Sequence, residues 1–482
     1  MGRKILAVAF RRIEGLFFAG GLMGLLPGLL VAVIIRLARD RSAAKDLPGI
    51  VAVSLRRWAR FLAQGLSPIR ETWWLSLQYE PRRHVWRYVF LLEFFDLLNI
   101  ADARRGEAPQ SGGTRLLVLK IAHVGDALHM VPALREMNKQ RPSWTLDLLV
   151  GPWCEALARK IPYIDRAVLY RPHLLLFSRR HRRGAMSVWS EARQMLDLRR
   201  QRYDWIFSTS ITSLIEVCLI HAVRPRAWAG ASNPLSLYYA FSEERTQPYT
   251  TRQYEAQRIM NLLPLMGLAA GSAELEYWLN DEDCRFARTI RRECGAEGDV
   301  PLVAVAPGAG WPGKIWPEES FAAVADQLAE TRGARVLLLG APDEALLGER
   351  ICRAMRFPAL NLCGKTTLDQ MAALLAEADL FLGNDSAPLH FAVALGTPTI
   401  SLFGPTSRFQ WGPPESQRHR VLAAVELCPG CNPFHFLSSC DHDRRCMRSL
   451  SWKAVAQEAD ILLGRCRHPK APFPTQAERH DE

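Results

Sequence analysis

The sequence predicts an α/β protein with two doubly wound lobes in tandem. Three observations predict it. From Arg115 onward, short apolar runs of strand length alternate with helical patterns, which is the order of βαβ units around a parallel sheet. The rhythm restarts at Leu302 after a stretch without strand character. The chain has 482 residues, 49% of them hydrophobic, too many for one ordinary core at roughly 100–200 residues per domain.

In the first series, Arg115–Lys120, Leu146–Val150, Ala167–Tyr170 and Trp205–Ser208 read as strands, with a helix from about Asp126 to Gln140 between the first two. An insertion from Arg171 to Arg202, with nine Lys/Arg against two acids, separates two of these strands. It is either a solvated basic face or part of an acceptor site in that lobe. The second series has strands at Leu302–Ala306, Arg335–Leu339, Ala359–Leu362, Leu380–Leu382 and Thr399–Phe403, with helices that include Pro317–Thr331 and Asp343–Met355. Two such sheets leave one natural cleft, at the carboxyl ends of their strands. The expected divisions are residues 1–112, a first lobe 113–285, a second lobe 286–466, and a Pro-rich, polar, disordered tail 467–482.

Residues 1–112 have a different texture. The formal charge is +12, and residues 1–60 supply +8 of it, with 11 Lys/Arg against three acids. A basic end beside an apolar stretch points to an anionic membrane surface and away from nucleic acid. Gly15 to Ile35 holds 21 uncharged residues, enough to cross a hydrocarbon layer of about 30 Å. Five glycines, Pro27-Gly28 and cationic flanks on both sides complicate a simple span. A span, a re-entrant or interfacial helix, and a buried helix all stay open. Residues 50–100, rich in Trp and Arg, read either as amphipathic helices at headgroup depth or as a small packed helical domain. No signal-peptide cleavage site follows the apolar segment.

The chemistry collects in three loops. Gly308-Ala309-Gly310-Trp311-Pro312-Gly313 matches the dinucleotide fingerprint G-x-G-x-x-G, yet Pro312 and Trp316-Pro317 delay the helix that such a fingerprint should enter directly. That disfavours a nicotinamide oxidoreductase. What remains is a loop whose amides can approach phosphate under the point charge of Lys314, or else a glycine turn with a surface lysine. Gly383-Asn384-Asp385-Ser386-Ala387-Pro388-Leu389-His390 opens a helix, with Asp385 or Ser386 as N-cap, and helix N-termini favour anions. Two such loops in one lobe favour a diphosphate over a merely well-capped helix. In the first lobe, Gly125-Asp126 follows the first strand. There Asp126 is either an N-cap or a general base taking a proton from an incoming hydroxyl, and Gly125 permits close approach to the backbone.

These strings, in order, resemble glycosyltransferase family 9, whose best-known members are the lipopolysaccharide heptosyltransferases. The resemblance covers roughly Arg115 to Gly464 and rests on Ile121–His129, Val150-Gly151-Pro152, Gly308–Pro317, Leu337–Glu344, Leu362–Leu368, Gly383–His390, Gly396-Thr397-Pro398 and Leu402–Thr406. It implies a GT-B fold, with donor nucleotide-sugar in the second lobe and acceptor in the first. It implies Asp126 as catalytic base, with Gly125 and His129 on the acceptor side. The donor would be held by Gly308, Ala309, Gly310, Lys314, Gly340, Glu344 toward the nucleoside, Lys365, Asp385, Ser386, Ala387 and His390. Inversion is implied, without a catalytic metal, since lysine and helix dipoles take the place of a cation. The acidic strings Asp281-Glu-Asp283 and Asp441-His-Asp443 read as accidental matches to the D-x-D motif of metal-dependent enzymes.

The sequence departs from the family pattern at Ala309 and Gly310, where a hydroxyl residue is frequent, and at Ala387, where glycine is. Residues 1–112 have no counterpart in the family. Cys428, Cys431, Cys440 and Cys446 are spaced C-x2-C-x8-C-x5-C, either a structural zinc site or reduced thiols. The expected function is a membrane-associated, inverting glycosyltransferase of the bacterial inner membrane's cytoplasmic face, acting on a lipopolysaccharide-type or lipid-linked glycan. The rival is a non-catalytic nucleotide-sugar-binding or scaffold protein that kept the fold.

Overall fold

The computed structural model describes residues 95, 113–171, 188–209, 214–232, 246–248, 250–424, 440 and 443–465. The apolar segment 15–35, half of the basic insertion, Cys428, Cys431 and the tail lie outside the described residues. Among the described residues no helix is long and apolar enough to cross a membrane.

The first series contains β1 (Arg115–Lys120), α1 (Val124–Leu128), α2 (Val131–Gln140), β2 (Thr145–Val150), α3 (Glu155–Ala158), β3 (Arg166–Leu169), α4 (Val188–Arg200), β4 (Trp205–Ser208), α5 (Leu214–Val223), β5 (Ala227–Ser232) and β6 (Thr246–Pro248). After α6 (Glu255–Met260) and α7 (Asp281–Glu293) come β7 (Leu302–Ala306), α8 (Glu318–Arg332), β8 (Arg335–Leu338), α9 (Ala345–Ala354), β9 (Ala359–Asn361), α10 (Leu368–Glu377), β10 (Leu380–Asn384), α11 (Ala387–Ala394), β11 (Thr399–Phe403), α12 (Arg408–Trp411), β12 (His419–Ala423), α13 (Arg445–Arg448) and α14 (Trp452–Arg465). In the first series β2 pairs with β3 and β4 with β5, and β7 to β12 form one sheet.

Two differences from the expected elements have local causes. The helix expected over Asp126–Gln140 is two helices, because Pro132, near the start of α2, has no N–H to donate to the carbonyl of Leu128. The division expected near residue 285 falls inside α7, which is capped by the Asn280 side chain accepting from the Asp283 N–H and packs on α10.

The contacts divide the chain into two compact units. The smaller contains α4, β4, α5 and β5, with β4 parallel to β5 in the register Ile206↔Trp228. Its core is the apolar α5, where Val217, Cys218 and Leu219 are fully buried.

The larger unit holds Leu117–Arg171 together with Pro248 onward. Here β2 lies parallel to β3, with Leu148 opposite Ala167. The second sheet has the order β12-β11-β10-β7-β8-β9, and every adjacent pair is parallel. Strands β7, β10 and β11 are buried along their whole length, as expected for parallel strands covered on both faces. On one face Trp316, Phe321, Val324 and Leu328 pack with Val455, Ala459 and Leu462 of α14. The chain enters this sheet at β7, runs outward through β8 and β9, and returns to β10 on the other side. The strand order therefore reverses between β7 and β10, where an open α/β sheet forms its ligand crevice.

Candidate active site

The two glycine-bearing loops of the second sheet leave β7 and β10, the strands that flank this switch point. After β7 the chain makes a single 3-10 turn at Pro312–Lys314, and α8 begins only at Glu318, with Pro317 as its N-cap. The fingerprint match is therefore not a dinucleotide turn. Gly308 has a steric reason: a Cβ there would lie 2.0 Å from the Glu344 carboxyl carbon. Glu344 accepts from the Ala341 N–H at 2.8 Å, so its carboxylate is braced against the loop. Gly340 lies against the same carboxylate, whereas a Cβ on Gly310 would meet open space. Ala309 is buried.

Ser386 is the N-cap of α11 without a side-chain cap bond, and its hydroxyl donates to the Asn384 carbonyl at 3.3 Å. Ala387 begins α11. Asp385 points across to the other loop, where its Oδ2 lies 3.1 Å from Lys314 Nζ. Burial opposes a buried carboxylate, but the Lys314 ammonium, with His390 behind it, holds Asp385 below its ordinary range. Asn384, fully buried, ties the loops together. Its side-chain amide donates to the Pro307 carbonyl at 2.7 Å, and its Oδ1 accepts from the Trp316 N–H at 3.2 Å. The sequence reading passed over Asn384 inside its own motif. An amide at the end of a buried strand was the available signal. Lys365 is not brought to these loops: it is exposed, and its ammonium donates to the Asn361 carbonyl at 2.9 Å.

The third loop is part of the same compact unit. His123 is the N-cap of α1, and Asp126, in the third helical position, accepts from the His123 N–H at 2.9 Å. Asp126 is half-buried. Burial pushes its carboxyl up and Lys120 opposes that. Gly125 lies against α11, since a Cβ on it would stand 2.6 Å from His390 Cδ2 and 3.4 Å from Ala387 Cα. The ring of His390 meets that of His129 at 4.5 Å, edge to face, and His129 also contacts Tyr254 and Trp411. His129 is thus fully buried, with Nδ1 at 2.9 Å from the Gly125 carbonyl. Burial pushes both imidazoles down, so both are neutral at neutral pH.

Beneath Asp126 lies a buried polar cluster that the sequence reading missed. Glu255 accepts from Lys120 at 3.4 Å, from Arg258 at 2.7 and 2.9 Å, and from Gln410 at 3.0 Å. Burial opposes a charged Glu255, but Lys120 and Arg258 hold it well below the usual carboxylate range. The i,i+3 pair Glu255 and Arg258 is visible in sequence, but its partners are not.

The acidic decoys have structural places. Asp281, Glu282 and Asp283 form the first turn of α7, where acids complement the helix dipole. Asp443 lies in a left-handed turn before α13, and Asp441 lies outside the described residues. Cys440 is half-buried and Cys446 buried. Among the described residues no group of three or more His, Cys, Asp or Glu side chains is arranged to hold a metal ion.

Known proteins agree with this architecture. The family model for glycosyltransferase family 9 (heptosyltransferase) matches residues 197–431. Lipooligosaccharide heptosyltransferase 2 of Haemophilus influenzae is 27% identical over 323 residues, spanning 64% of this chain and 89% of that protein. The crystal structure of a family 9 glycosyltransferase from Veillonella parvula superposes with a TM-score of 0.60 at 18% identity, covering 74% of this chain and 100% of that one. The structure of Escherichia coli ADP-heptose LPS heptosyltransferase II gives 0.55 at 20% identity, covering 73% and 99%. A parallel α/β architecture and relatives matched over most of their length have one explanation: the chain is a glycosyltransferase, similar to family 9.

Proposed function

We propose that this enzyme transfers heptose, with inversion, from ADP-heptose to a lipopolysaccharide-core acceptor at the cytoplasmic face of the bacterial inner membrane. Donor and acceptor come from what the relatives are named for. The observation that carries the reading is the meeting of Gly125 and His390, because it brings the Asp126 turn against the helix whose N-terminus, with Lys314, forms the anion site.

In this reading the acceptor hydroxyl gives its proton to Asp126, and its oxygen bonds to the anomeric carbon. The bond from that carbon to the diphosphate oxygen breaks, and ADP leaves. A single displacement from the face opposite the leaving group inverts the centre. Negative charge grows on the diphosphate as it departs, where Lys314, the amides around Gly308, Ala309 and Gly310, and the first turn at Ser386-Ala387 stabilise it. Glu344 and Gly340 belong to the nucleoside end, and Lys365 would have to swing from Asn361 to take part. Lys314 supplies the positive charge that a divalent ion supplies elsewhere, so transfer proceeds without a catalytic metal. Residues 1–112 are proposed as the membrane-associating region, the apolar segment 15–35 either spanning or re-entering. The lobes are proposed to be 113–285 for the acceptor and 286–466 for the donor.

The test is transfer by the purified full-length protein from ADP-heptose to a heptose-accepting lipopolysaccharide core, read as ADP release together with a one-heptose mass gain. ADP-heptose binding without turnover would overturn the reading in favour of a non-catalytic protein. Deleting residues 1–112 is expected to release the protein from membranes and to spare activity on a soluble acceptor.

A further inference from the structure

We propose that Arg444 is a positioning residue for the donor diphosphate, gripping the backbone that leaves the Lys314 turn. The inference rests on the reading of Lys314 as the cation of the anion site.

The turn before α13 is strained. Arg444 has φ 54° and ψ 35°, and Asp443 before it has φ 45°. A side chain in this left-handed region crowds its own backbone, and such a conformation persists only where the surroundings hold it. Three hydrogen bonds hold Arg444. Its N–H donates to the Cys440 sulfur at 3.3 Å, and its carbonyl accepts from the Arg448 N–H at 2.9 Å. Its Nη1 donates to the Ile315 carbonyl at 3.2 Å, across 129 positions of the chain. The first two use the backbone and would serve a glycine without strain. The third uses the guanidinium.

Ile315 follows Lys314 directly. Its carbonyl and the Trp316 N–H belong to one peptide group, and that group is held from both sides, by Arg444 on the oxygen and by Asn384 Oδ1 on the N–H at 3.2 Å. Asn384 ends β10 beside Asp385, whose Oδ2 lies 3.1 Å from Lys314 Nζ. The segment around α13 is seated on these loops at two more points. Trp316 Nε1 donates to the Leu450 carbonyl at 3.2 Å, and a Cβ on Gly404, in the loop after β11, would lie 2.4 Å from the Met447 sulfur. Lys314 closes a single 3-10 turn, in which its N–H bonds the Trp311 carbonyl at 3.0 Å. One turn has little stiffness of its own. With the next peptide group clamped, the lysine side chain starts from a fixed backbone and is aimed at the diphosphate.

The experiment measures ADP and adenosine affinity by titration calorimetry, with melting temperature, on the full-length protein. Arg444→Gly removes the guanidinium and relieves the left-handed strain, so the melting temperature is expected to stay within a few degrees of wild type. ADP should bind roughly 3- to 10-fold more weakly, the scale of coupling between residues in one network. Adenosine affinity should not change. Arg444→Lys, whose ammonium can still donate to the Ile315 carbonyl, should keep most of the ADP affinity. In the Lys314→Met background Arg444→Gly should cost little more, because no lysine is left to aim. Should Arg444→Gly fail to fold, Arg444→Met, which keeps the apolar stem, reads the same loss.

A full additive loss in the double variant would mean that Arg444 acts on the diphosphate without Lys314, and would overturn the proposal. Equal losses for ADP and adenosine would overturn it too. If Lys314→Met leaves ADP affinity unchanged, the anion-site reading fails with it. Weaker ADP binding in Lys314→Met beside unchanged binding in Arg444→Gly refutes this inference alone.

Discussion

Replacing Lys314 by Met tests the anion site and the fold in one variant. The ammonium lies 3.1 Å from Asp385 Oδ2, and the two side chains are 16% and 7% exposed. Breaking a buried pair from one side costs about 3–5 kcal/mol because the other charge is stranded. Lys314 retains some solvent contact, so about 2–3 kcal/mol at neutral pH is the working figure. The sign of the pH dependence follows from Asp385. In the wild type Lys314 holds its carboxyl below the ordinary value, so that stabilisation is present above the unfolded pKa and is lost as pH falls through the folded one. In the variant, burial loses its main counterweight and raises the carboxyl, so the folded state gains as Asp385 protonates. The stability gap between the two proteins should narrow on acidification from pH 7 toward about pH 4. ADP should lose about 1.5–3 kcal/mol of affinity, the scale of a charge-assisted hydrogen bond, or roughly 10- to 150-fold, while adenosine binding stays unchanged. Titration calorimetry with both ligands and urea unfolding at two pH values read the two effects. Equal losses for ADP and adenosine, or a stability gap that does not depend on pH, would refute the reasoning.

Further outcomes follow from the same geometry. Asp126→Asn should keep ADP affinity within a few-fold and cut the transfer rate by about 10²–10⁴; near-normal turnover would remove Asp126 from the mechanism. In the wild type, kcat/KM should fall on acidification at a pH above the ordinary aspartate value, because burial raises Asp126. Gly125→Ala puts a methyl 2.6 Å from His390 Cδ2, an overpacking cost of about 1–3 kcal/mol, and a melting temperature equal to wild type would show that the contact yields freely. Asn384→Ala leaves the Pro307 carbonyl and Trp316 N–H without their partner, at about 1–3 kcal/mol for each unsatisfied buried group. Weaker ADP binding should accompany the lower stability, and an unchanged ADP affinity would separate Asn384 from the site.

Much of the second sheet could be read from residues close together in the chain. Leu302–Ala306 is a continuous apolar run and Thr399–Phe403 is apolar at three of its five positions, and both are buried parallel strands. Pro312 and Pro317 delayed the helix after β7 as read, and α8 begins at Glu318. Pro132 is an equally local signal, and it divides α1 from α2. The pairing of Lys314 with Asp385 was half legible: both loops were picked out as anion sites, but nothing in either loop says that their side chains bond to each other.

The sequence by itself determined the local structure: strand and helix segments, the loops after β7 and β10, and the Gly125-Asp126 turn. Each depends on steric and hydrogen-bonding preferences acting over a few residues. Tertiary structure alone decided which buried polar groups meet. Lys120 and Glu255 are 135 positions apart, Glu255 and Gln410 are 155 apart, and Asn384 reaches a carbonyl 77 residues earlier. A charge removed from water has to find a counter-charge or a hydrogen-bond partner. Which group answers depends on the surfaces the whole fold presses together, so these pairs leave no periodic mark in the sequence.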